Sequence, residues 1–214
     1  SDGTSYFSME LLTGQTLKER LRAEPTMAPE EFLPYLIALC DALSAAHSHG
    51  IVHRDLKPDN IFLPKSGTPP AKVVDFGLSL MATADRMTRA GSLIGTPRYM
   101  APEQIRSARD VDPRVDTYAI AVIAYEVLAG KPPFDASDYR QLLGQVIEGK
   151  VVPLKERCPH LSDNLCRVIH KGMSQRRRER YASIGAFGEA FAQTLGCSHI
   201  VVAEGDGGFR WGMM

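Results

Sequence analysis

The spacing of apolar residues predicts a mainly helical chain with a few short strands. Phe32, Leu36, Leu39, Leu43 and Ala46 recur at the helical period and predict one amphipathic helix, which starts near Pro29 and ends at Gly50. Proline at position 34 removes a backbone donor within this pattern. We therefore expect a kink or an unwound first turn there.

The second half of the chain is predicted to be almost entirely helical. The segment from Val115 to Ala129 is apolar nearly all round, which is typical of a central, buried helix. The Gly-Lys-Pro-Pro run at 130–133 ends it. Further helices are predicted near 137–148, 162–173 and 183–195.

Shorter elements are predicted before this region. Residues 6–12 indicate a strand that runs into a connector. Thr16 and Glu19 have the spacing of a capping box, so a short helix is expected over about 17–22. Residues 72–74 indicate another strand, whereas residues 78–100 show no period and are expected to form a long loop.

Composition narrows the class of protein. Lysine plus arginine equals aspartate plus glutamate, 25 each, which argues against general binding to nucleic acid. The longest strongly apolar run, 118–125, is too short to cross a bilayer, so no transmembrane segment is expected in this chain. No pair of the four cysteines has the spacing of a metal site, and free thiols favour a reducing compartment.

Three polar motifs stand out between the apolar segments. They are His-Arg-Asp-Leu-Lys-Pro-Asp-Asn at 53–60, Asp-Phe-Gly at 75–77 and Gly-Thr-Pro-Arg-Tyr-Met-Ala-Pro-Glu at 95–103. A single loop aspartate is ordinarily a turn residue. The whole set, in this order and spacing, resembles the signature of the protein kinase family.

The resemblance covers roughly residues 3–195 and implies a fold. It implies a kinase domain over 1–195, consisting of the large C-terminal lobe preceded by the last small-lobe strand and the hinge, and an unassigned tail over 196–214. This lobe is mainly α within an α+β whole, a helical bundle around a central buried helix with a short β-hairpin region. The style of the loops resembles bacterial members of the family.

The resemblance also implies catalytic roles. Asp55 resembles the aspartate that accepts the proton of the substrate hydroxyl, and Lys57 the lysine that neutralises the transferred phosphoryl group. Asn60 and Asp75 resemble the two magnesium ligands, since oxygen donors suit that ion. Thr96 resembles the threonine that bonds to Asp55 and Lys57, and with Lys57 it indicates serine or threonine as acceptor.

Structural roles follow for residues around these motifs. His53 and Phe76 resemble a hydrophobic stack anchored by an aspartate of the central helix, which corresponds to Asp116. Gly77 completes the Asp-Phe-Gly motif. We expect these residues to support the site rather than to react.

Two further features concern the loop between 78 and 103. Arg54 resembles the arginine that pairs with a phosphorylated residue of this loop. The candidate acceptors are Thr83, Thr88 and Ser92, with Thr88 and Ser92 favoured by position. Glu103 and Arg180 are expected to form a buried ion pair that fixes the end of the loop.

The start of the chain resembles a hinge that meets adenine. Glu10 and Leu12 would bond to the base through backbone groups, Met9 would be the gatekeeper, and Phe62 would pack beneath the ring. The resemblance therefore implies ATP with Mg²⁺, or Mn²⁺ in its place, and a protein substrate. It also implies a cytoplasmic location and allows a dimer of kinase domains.

The expected activity depends on parts that precede this segment in the family. Only eight residues precede Met9, so we expect the glycine-rich loop, the strand lysine and the helix glutamate of the small lobe to be missing from this chain. Weak or no phosphotransfer is then expected from residues 1–214 alone. The main alternative is a non-catalytic, pseudokinase-like scaffold, and a small-molecule phosphotransferase is disfavoured by Lys57 and the motif at 101–103.

Overall fold

A computed structural model describes residues 10–66, 69–76, 97–107, 112–134 and 136–197. Eight α-helices follow one another through these residues. They are α1 (Leu17–Ala23), α2 (Pro29–Ser48), α3 (Pro102–Arg106), α4 (Arg114–Ala129), α5 (Tyr139–Glu148), α6 (Leu154–Arg157), α7 (Asp163–Gly172) and α8 (Ile184–Thr194). Single 3₁₀ turns lie at Pro58–Asn60, Pro97–Tyr99 and Arg177–Glu179.

The helix α4 lies at the centre of the core. All but three of its 16 residues are buried, because apolar side chains occur on every face. It ends at Gly130, which adopts the left-handed conformation (φ 67°) of a helix C-cap. The helices α2, α7 and α8 pack around it and around each other, so the prediction of a mainly α bundle with a buried central helix is confirmed.

A small antiparallel sheet lies beside the bundle. Its strands are β1 (Gly14–Thr16), β2 (Ile61–Pro64) and β3 (Lys72–Val73), in that spatial order. Gln15 pairs with Leu63, and Phe62 pairs with Lys72. Because β2 directly follows the polar loop 51–60 and the antiparallel strand β3 ends two residues before Asp75, the sheet brings two of the motifs to the same end.

Several predicted elements agree with the structure. The helices from Pro29 and over 115–129, 137–148, 162–173 and 183–195 are all present within a few residues of the predicted bounds. The capping box of Thr16 and Glu19 is present as well, with the Glu19 carboxylate accepting the Thr16 backbone N–H at 2.7 Å.

Other expectations are wrong. The first turn of α2 is helical rather than unwound, because Pro34 removes only the bond to the carbonyl of Glu30, which lies on the exposed first turn and can bind water. Strand β1, which begins at Gly14, was not predicted, whereas the strand and connector predicted over 6–12 lie partly outside the described residues, of which 10–12 are not in a strand. The helices α3 and α6 were not predicted, since four or five residues are too few to show a period.

Candidate active site

The polar loop between α2 and β2 is fixed by a buried carboxylate of the central helix. Asp116, in the first turn of α4, is 1% exposed. Its Oδ2 accepts the backbone N–H of His53 and its Oδ1 accepts that of Arg54, both at 2.9 Å. His47 of α2 donates its Nε2–H to the same Oδ2 at 2.8 Å, since a carboxylate can only accept. The loop is thereby attached to both α2 and the buried central helix α4.

Arg54 has a backbone conformation that few side chains adopt. Its φ is 67°, in the left-handed region, which has an energetic cost for a residue other than glycine. The conformation is held from both sides: Asp116 accepts the N–H of Arg54, and Gln104 donates to its carbonyl at 2.8 Å. This turn directs the next residue, Asp55, out of the core.

The catalytic candidates Asp55, Lys57 and Asn60 are in mutual contact. Lys57 Nζ donates to Asp55 Oδ2 at 2.9 Å, and the two side chains are 22% and 30% exposed. Asn60 is buried and donates its side-chain N–H to the backbone carbonyl of Asp55 at 2.9 Å. Within the described residues no donor bonds to the Asn60 amide oxygen, so the arrangement presents a carboxylate, an ammonium and an amide oxygen within one short loop.

His53 is buried, and the partners of its two ring nitrogens indicate its tautomer. Its Nδ1 accepts the N–H of Asp55 at 3.3 Å, so its Nε2 carries the proton and donates to the carbonyl of Val74 at 3.0 Å. Its ring lies 5.0 Å from that of Phe76, at an angle of 58°. Both nitrogens are therefore occupied by structural contacts that connect the two motifs.

Asp75 lies beside this loop at the end of β3. The backbone N–H of Val74 donates to the carbonyl of Asn60 at 3.0 Å, which ties the two candidate metal ligands together through their backbones. Asp75 is exposed and has a φ of 60°, so it is the second residue other than glycine with positive φ among the described residues. Two strained residues, Arg54 and Asp75, thus flank the candidate site, as strained residues often do at active sites.

The donor set of Asn60 and Asp75 fits a magnesium ion. Both offer hard oxygen atoms, and Mg²⁺ is commonly held by one or two protein ligands together with phosphate oxygens and waters. Within the described residues, no group of three or more histidine, cysteine, aspartate or glutamate side chains could hold a metal.

Three residues of the expected hinge are described, and they lie in the small sheet or in the segment before it. The exposed carboxylate of Glu10 accepts two bonds from Lys72 of β3, at 2.7 and 2.9 Å. Phe62 of β2 is half-buried, and its ring approaches Gly14 so closely that a Cβ there would lie 2.9 Å from it and 2.2 Å from the carbonyl oxygen of Leu63. Leu12 is half-buried between these residues in the chain.

A bidentate ion pair joins α3 to the turn before α8. Arg180 is 4% exposed and donates to both carboxylate oxygens of Glu103, at 2.6 and 2.7 Å. It also donates to the carbonyl of Ser174 at 2.8 Å and lies over the Tyr118 ring. The buried pair expected from the sequence is thus present, with its remaining donors satisfied.

A pocket of about 250 Å³ lies next to the polar loop 51–60, and Asp59 is one of its lining residues. Lys18 of α1 forms an ion pair with Asp59. Burial raises the pKa of Glu126, whose carboxylate accepts a 2.5 Å hydrogen bond from the hydroxyl of Tyr99. These contacts connect α1, α4 and the 3₁₀ turn at 97–99 around the loop.

Some residues that position the site were not predicted, and some predictions cannot be placed. His47 and Gln104 hold the loop, yet their partners are 69 and 50 positions away, so no local pattern indicates them. Several predicted residues lie outside the described residues: Met9, Gly77, Thr83, Thr88, Ser92 and Thr96.

This combination of a helical bundle, a clamped polar loop and an adjoining Asp-Phe pair defines a fold and site of the protein kinase class. The family model described as "Protein kinase domain" matches residues 1–192. The chain belongs to this family. It is 42% identical over 202 residues to the serine/threonine-protein kinase Pkn1 of Myxococcus xanthus, covering 92% of this chain and 28% of that protein.

Two further similarities agree. The chain is 34% identical over 178 residues to the serine/threonine-protein kinase PknB of Mycobacterium tuberculosis (strain ATCC 25618 / H37Rv), covering 82% of this chain and 28% of that protein. Its fold is similar to that in a crystal structure of Rad53 1-466 in complex with AMP-PNP, with a TM-score of 0.70 and 26% identity over 86% of this chain and 45% of that one. The prediction of a bacterial-type serine/threonine kinase family is confirmed, while the chain spans about 28% of the length of these curated relatives.

Among the described helices, none combines the length and hydropathy that crossing a bilayer would require.

Proposed function

We propose that the protein containing this chain transfers the γ-phosphoryl group of ATP to serine or threonine hydroxyls of protein substrates. Asp55 would accept the hydroxyl proton and orient the acceptor, and Lys57 would neutralise charge on the moving phosphoryl group. The observation that carries the proposal is the contact of Lys57 Nζ with Asp55 Oδ2 at 2.9 Å on a loop clamped by the buried Asp116. Positioning of the reacting groups supplies most of the rate enhancement in such a reaction. The hydrogen bonds from Asp116 hold this loop in one conformation and so fix the position of Asp55.

Asn60 and Asp75 would hold the divalent metal, for which we propose Mg²⁺ with Mn²⁺ as a substitute. A bound metal would offset negative charge on the phosphates. The protein's own part is to keep the amide and the carboxylate side by side, through the bond from Val74 N–H to the Asn60 carbonyl. Glu10 and Leu12, with Met9 and Phe62, would receive the adenine at the edge of the sheet.

A serine or threonine acceptor is proposed from Lys57 and from Thr96, which would bond to Asp55 and Lys57. The relatives Pkn1 and PknB are named serine/threonine kinases, which supports this choice. Analysis of the phosphorylated amino acids in a reacted protein substrate should show phosphoserine or phosphothreonine. Phosphotyrosine as the main product would contradict the assignment.

Arg54 supports a proposal of activation by loop phosphorylation. Within the described residues, its buried Nε has no hydrogen-bond partner, which leaves a donor for an added phosphate. Thr88 and Ser92 are the preferred acceptors, with Thr83 as a third. Mass spectrometry of the active full-length gene product should find phosphate between residues 78 and 94, and its absence there would refute this proposal.

The catalytic proposal is tested by replacing single carboxylates in the full-length gene product. Asp55→Asn should abolish phosphotransfer from ATP to a protein substrate but keep ATP binding, because Asp55 is not placed as a ligand of nucleotide or metal. Asp75→Asn should weaken Mg²⁺-dependent ATP binding. Asp163→Asn is the matched control, since this side chain is 79% exposed and pairs only at the surface with Lys155.

The outcomes separate an enzyme from the scaffold alternative. Turnover that survives in Asp55→Asn would refute the assigned role. A wild-type protein that neither binds ATP nor transfers phosphate would favour the scaffold, although the intact set of Asp55, Lys57, Asn60 and Asp75 argues for an enzyme. We also propose a cytoplasmic location, which the four free cysteines support. A dimer of kinase domains is a further proposal, and sedimentation analysis would test it.

The domain limits are a proposal as well. We propose that the kinase domain extends to residue 195 and that 196–214 is a separate tail. The helix α8, whose buried residues belong to the core, ends at Thr194 and supports this boundary. Limited proteolysis should remove the tail and leave the unfolding transition of the remainder unchanged.

A further inference from the structure

A groove lined by arginines lies on the side of the domain marked by α3. We call it the basic groove. Its volume is about 710 Å³, and it is lined by Glu103, Arg106 and Ser107 on one wall and by residues 175–178 on the other. Arg106 and the run Arg176 to Arg178 are far apart in sequence, so the fold adds Arg106 to a local run of three arginines.

The carboxylates around the basic groove are already engaged. Glu103 is neutralised by the buried Arg180 at 2.6 Å. Asp112 pairs with Arg114 at 2.6 Å and lies 3.6 Å from Arg177. The guanidinium of Arg114 holds the pKa of Asp112 below its usual range. This carboxylate therefore stays ionised and paired with Arg114. Among the described residues that line the groove, four are arginines and one is a glutamate, so positive charge prevails there.

Two of the lining side chains are held in place. Arg106 donates to the carbonyl of Ile147 at 3.2 Å, and Gln175 donates to the same carbonyl, which lies near the end of α5. Arg176 makes only a long contact of 3.4 Å with Glu179. In the part of the chain that the structure describes, exposed Arg178 has no ion-pair partner. Fixed and free donors thus face one opening.

We propose that the basic groove binds a segment of a partner protein that is already phosphorylated on serine or threonine. Arginine forks match phosphate oxygens in pairs, and a phosphate carries more charge than a carboxylate. The hydroxyl of Ser107 and the amide of Gln175 add neutral donors at the same opening. The choice of a phosphoserine or phosphothreonine segment rests on the proposed function, because such segments are the products of that reaction.

The proposal is tested by fluorescence anisotropy with one short peptide in three forms. The forms carry threonine, phosphothreonine or glutamate at the same position, and the protein is the full-length gene product with Asp55→Asn and no ATP. We expect the phosphopeptide to bind about tenfold more tightly than the other two. Because no phosphotransfer is measured, a failed kinase reaction and a failed groove give different results.

Variants locate the binding. Arg106→Gln with Arg178→Gln should weaken phosphopeptide binding about tenfold, while the two lysine replacements at these positions should weaken it less, since they keep charge but lose the fork. Arg167→Gln, an exposed arginine of α7 outside the groove, should change nothing. Equal melting temperatures would show that the variants are folded.

Three results would overturn the proposal. One is equal binding of the threonine and phosphothreonine peptides. Another is phosphopeptide binding that the double glutamine variant leaves unchanged. The third is a groove-dependent affinity for single-stranded RNA or for vesicles of anionic lipid that exceeds the affinity for the phosphopeptide.

Discussion

Replacing Asp116 by asparagine should damage both folding and catalysis although the side chain keeps its shape. The carboxylate accepts three hydrogen bonds, from the backbone N–H groups of His53 and Arg54 and from His47, divided between its two oxygens. An asparagine has one oxygen, so its NH₂ group must face at least one of these donors. Whichever way the amide is turned, a buried N–H loses its acceptor.

The size of the effect follows from these contacts. A hydrogen bond to a charged acceptor contributes roughly 1.5–3 kcal/mol to stability, and a buried donor left without an acceptor costs about 1–3 kcal/mol. The two figures describe partly the same loss, so they are not added in full. Loss of the negative charge in the first turn of α4 adds about 0.3–1 kcal/mol. We expect the free energy of unfolding to fall by about 2–4 kcal/mol for Asp116→Asn. Urea denaturation followed by circular dichroism measures this difference.

The catalytic part of this prediction depends on Arg54. Its left-handed backbone is held by Asp116, and relaxing it would displace the adjacent Asp55. A displacement of about 1 Å can lower the rate roughly 100-fold, so kcat should fall by about that factor in protein that is still folded. Glu189→Gln, at an exposed position of α8, is the control and should stay within about 0.5 kcal/mol of wild type. A change in Asp116→Asn as small as that would refute the reasoning.

Three further predictions concern stability and are measured by denaturant unfolding. Arg180→Ala should cost about 3–5 kcal/mol, because it strands the Glu103 carboxylate, and a loss under about 1 kcal/mol would contradict this. Gly172→Ala should cost about 1–3 kcal/mol, because the new Cβ would lie 2.6 Å from that of Ala121; adding Ala121→Gly should recover part of it, and a strictly additive double variant would disprove the clash. Thr16→Ala should cost about 1 kcal/mol through loss of the α1 cap, and an unchanged midpoint would show that the cap contributes nothing.

The fold was predictable where apolar residues recur at the helical period over several turns. Long helices such as α2 and α4 show many turns of apolar spacing, so their existence and bounds follow from the pattern. The short helix α3 and the three-residue strand β1 show no such repeat. They exist because distant partners pair with them, as Gln15 does with Leu63. Local sequence cannot report such pairing.

The candidate site likewise contains residues that the sequence predicted and residues that it did not. Asp55, Lys57 and Asn60 lie within six residues, so their spacing alone predicts that they meet, and the structure shows them in contact. His47 and Gln104 were missed, since each acts on the loop from another helix and neither belongs to a motif. The resemblance therefore identified the groups that would react and one group that holds them, Asp116, whereas His47 and Gln104 emerge only from the folded arrangement.

The position of Asp116 explains why this loop is attached to the most buried helix. A carboxylate that is 1% exposed would be costly if its only contacts were apolar. At the first turn of α4 it gains the favourable end of the helix dipole and three donors, so burial shields it from water and makes its hydrogen bonds stronger. An exposed carboxylate could not hold a left-handed Arg54, because water would compete for the same N–H groups. The hydrophobic surroundings of α4 and the polar clamp thus depend on each other, and a change that admits water beside Asp116 should impair the loop as much as a change in the loop itself.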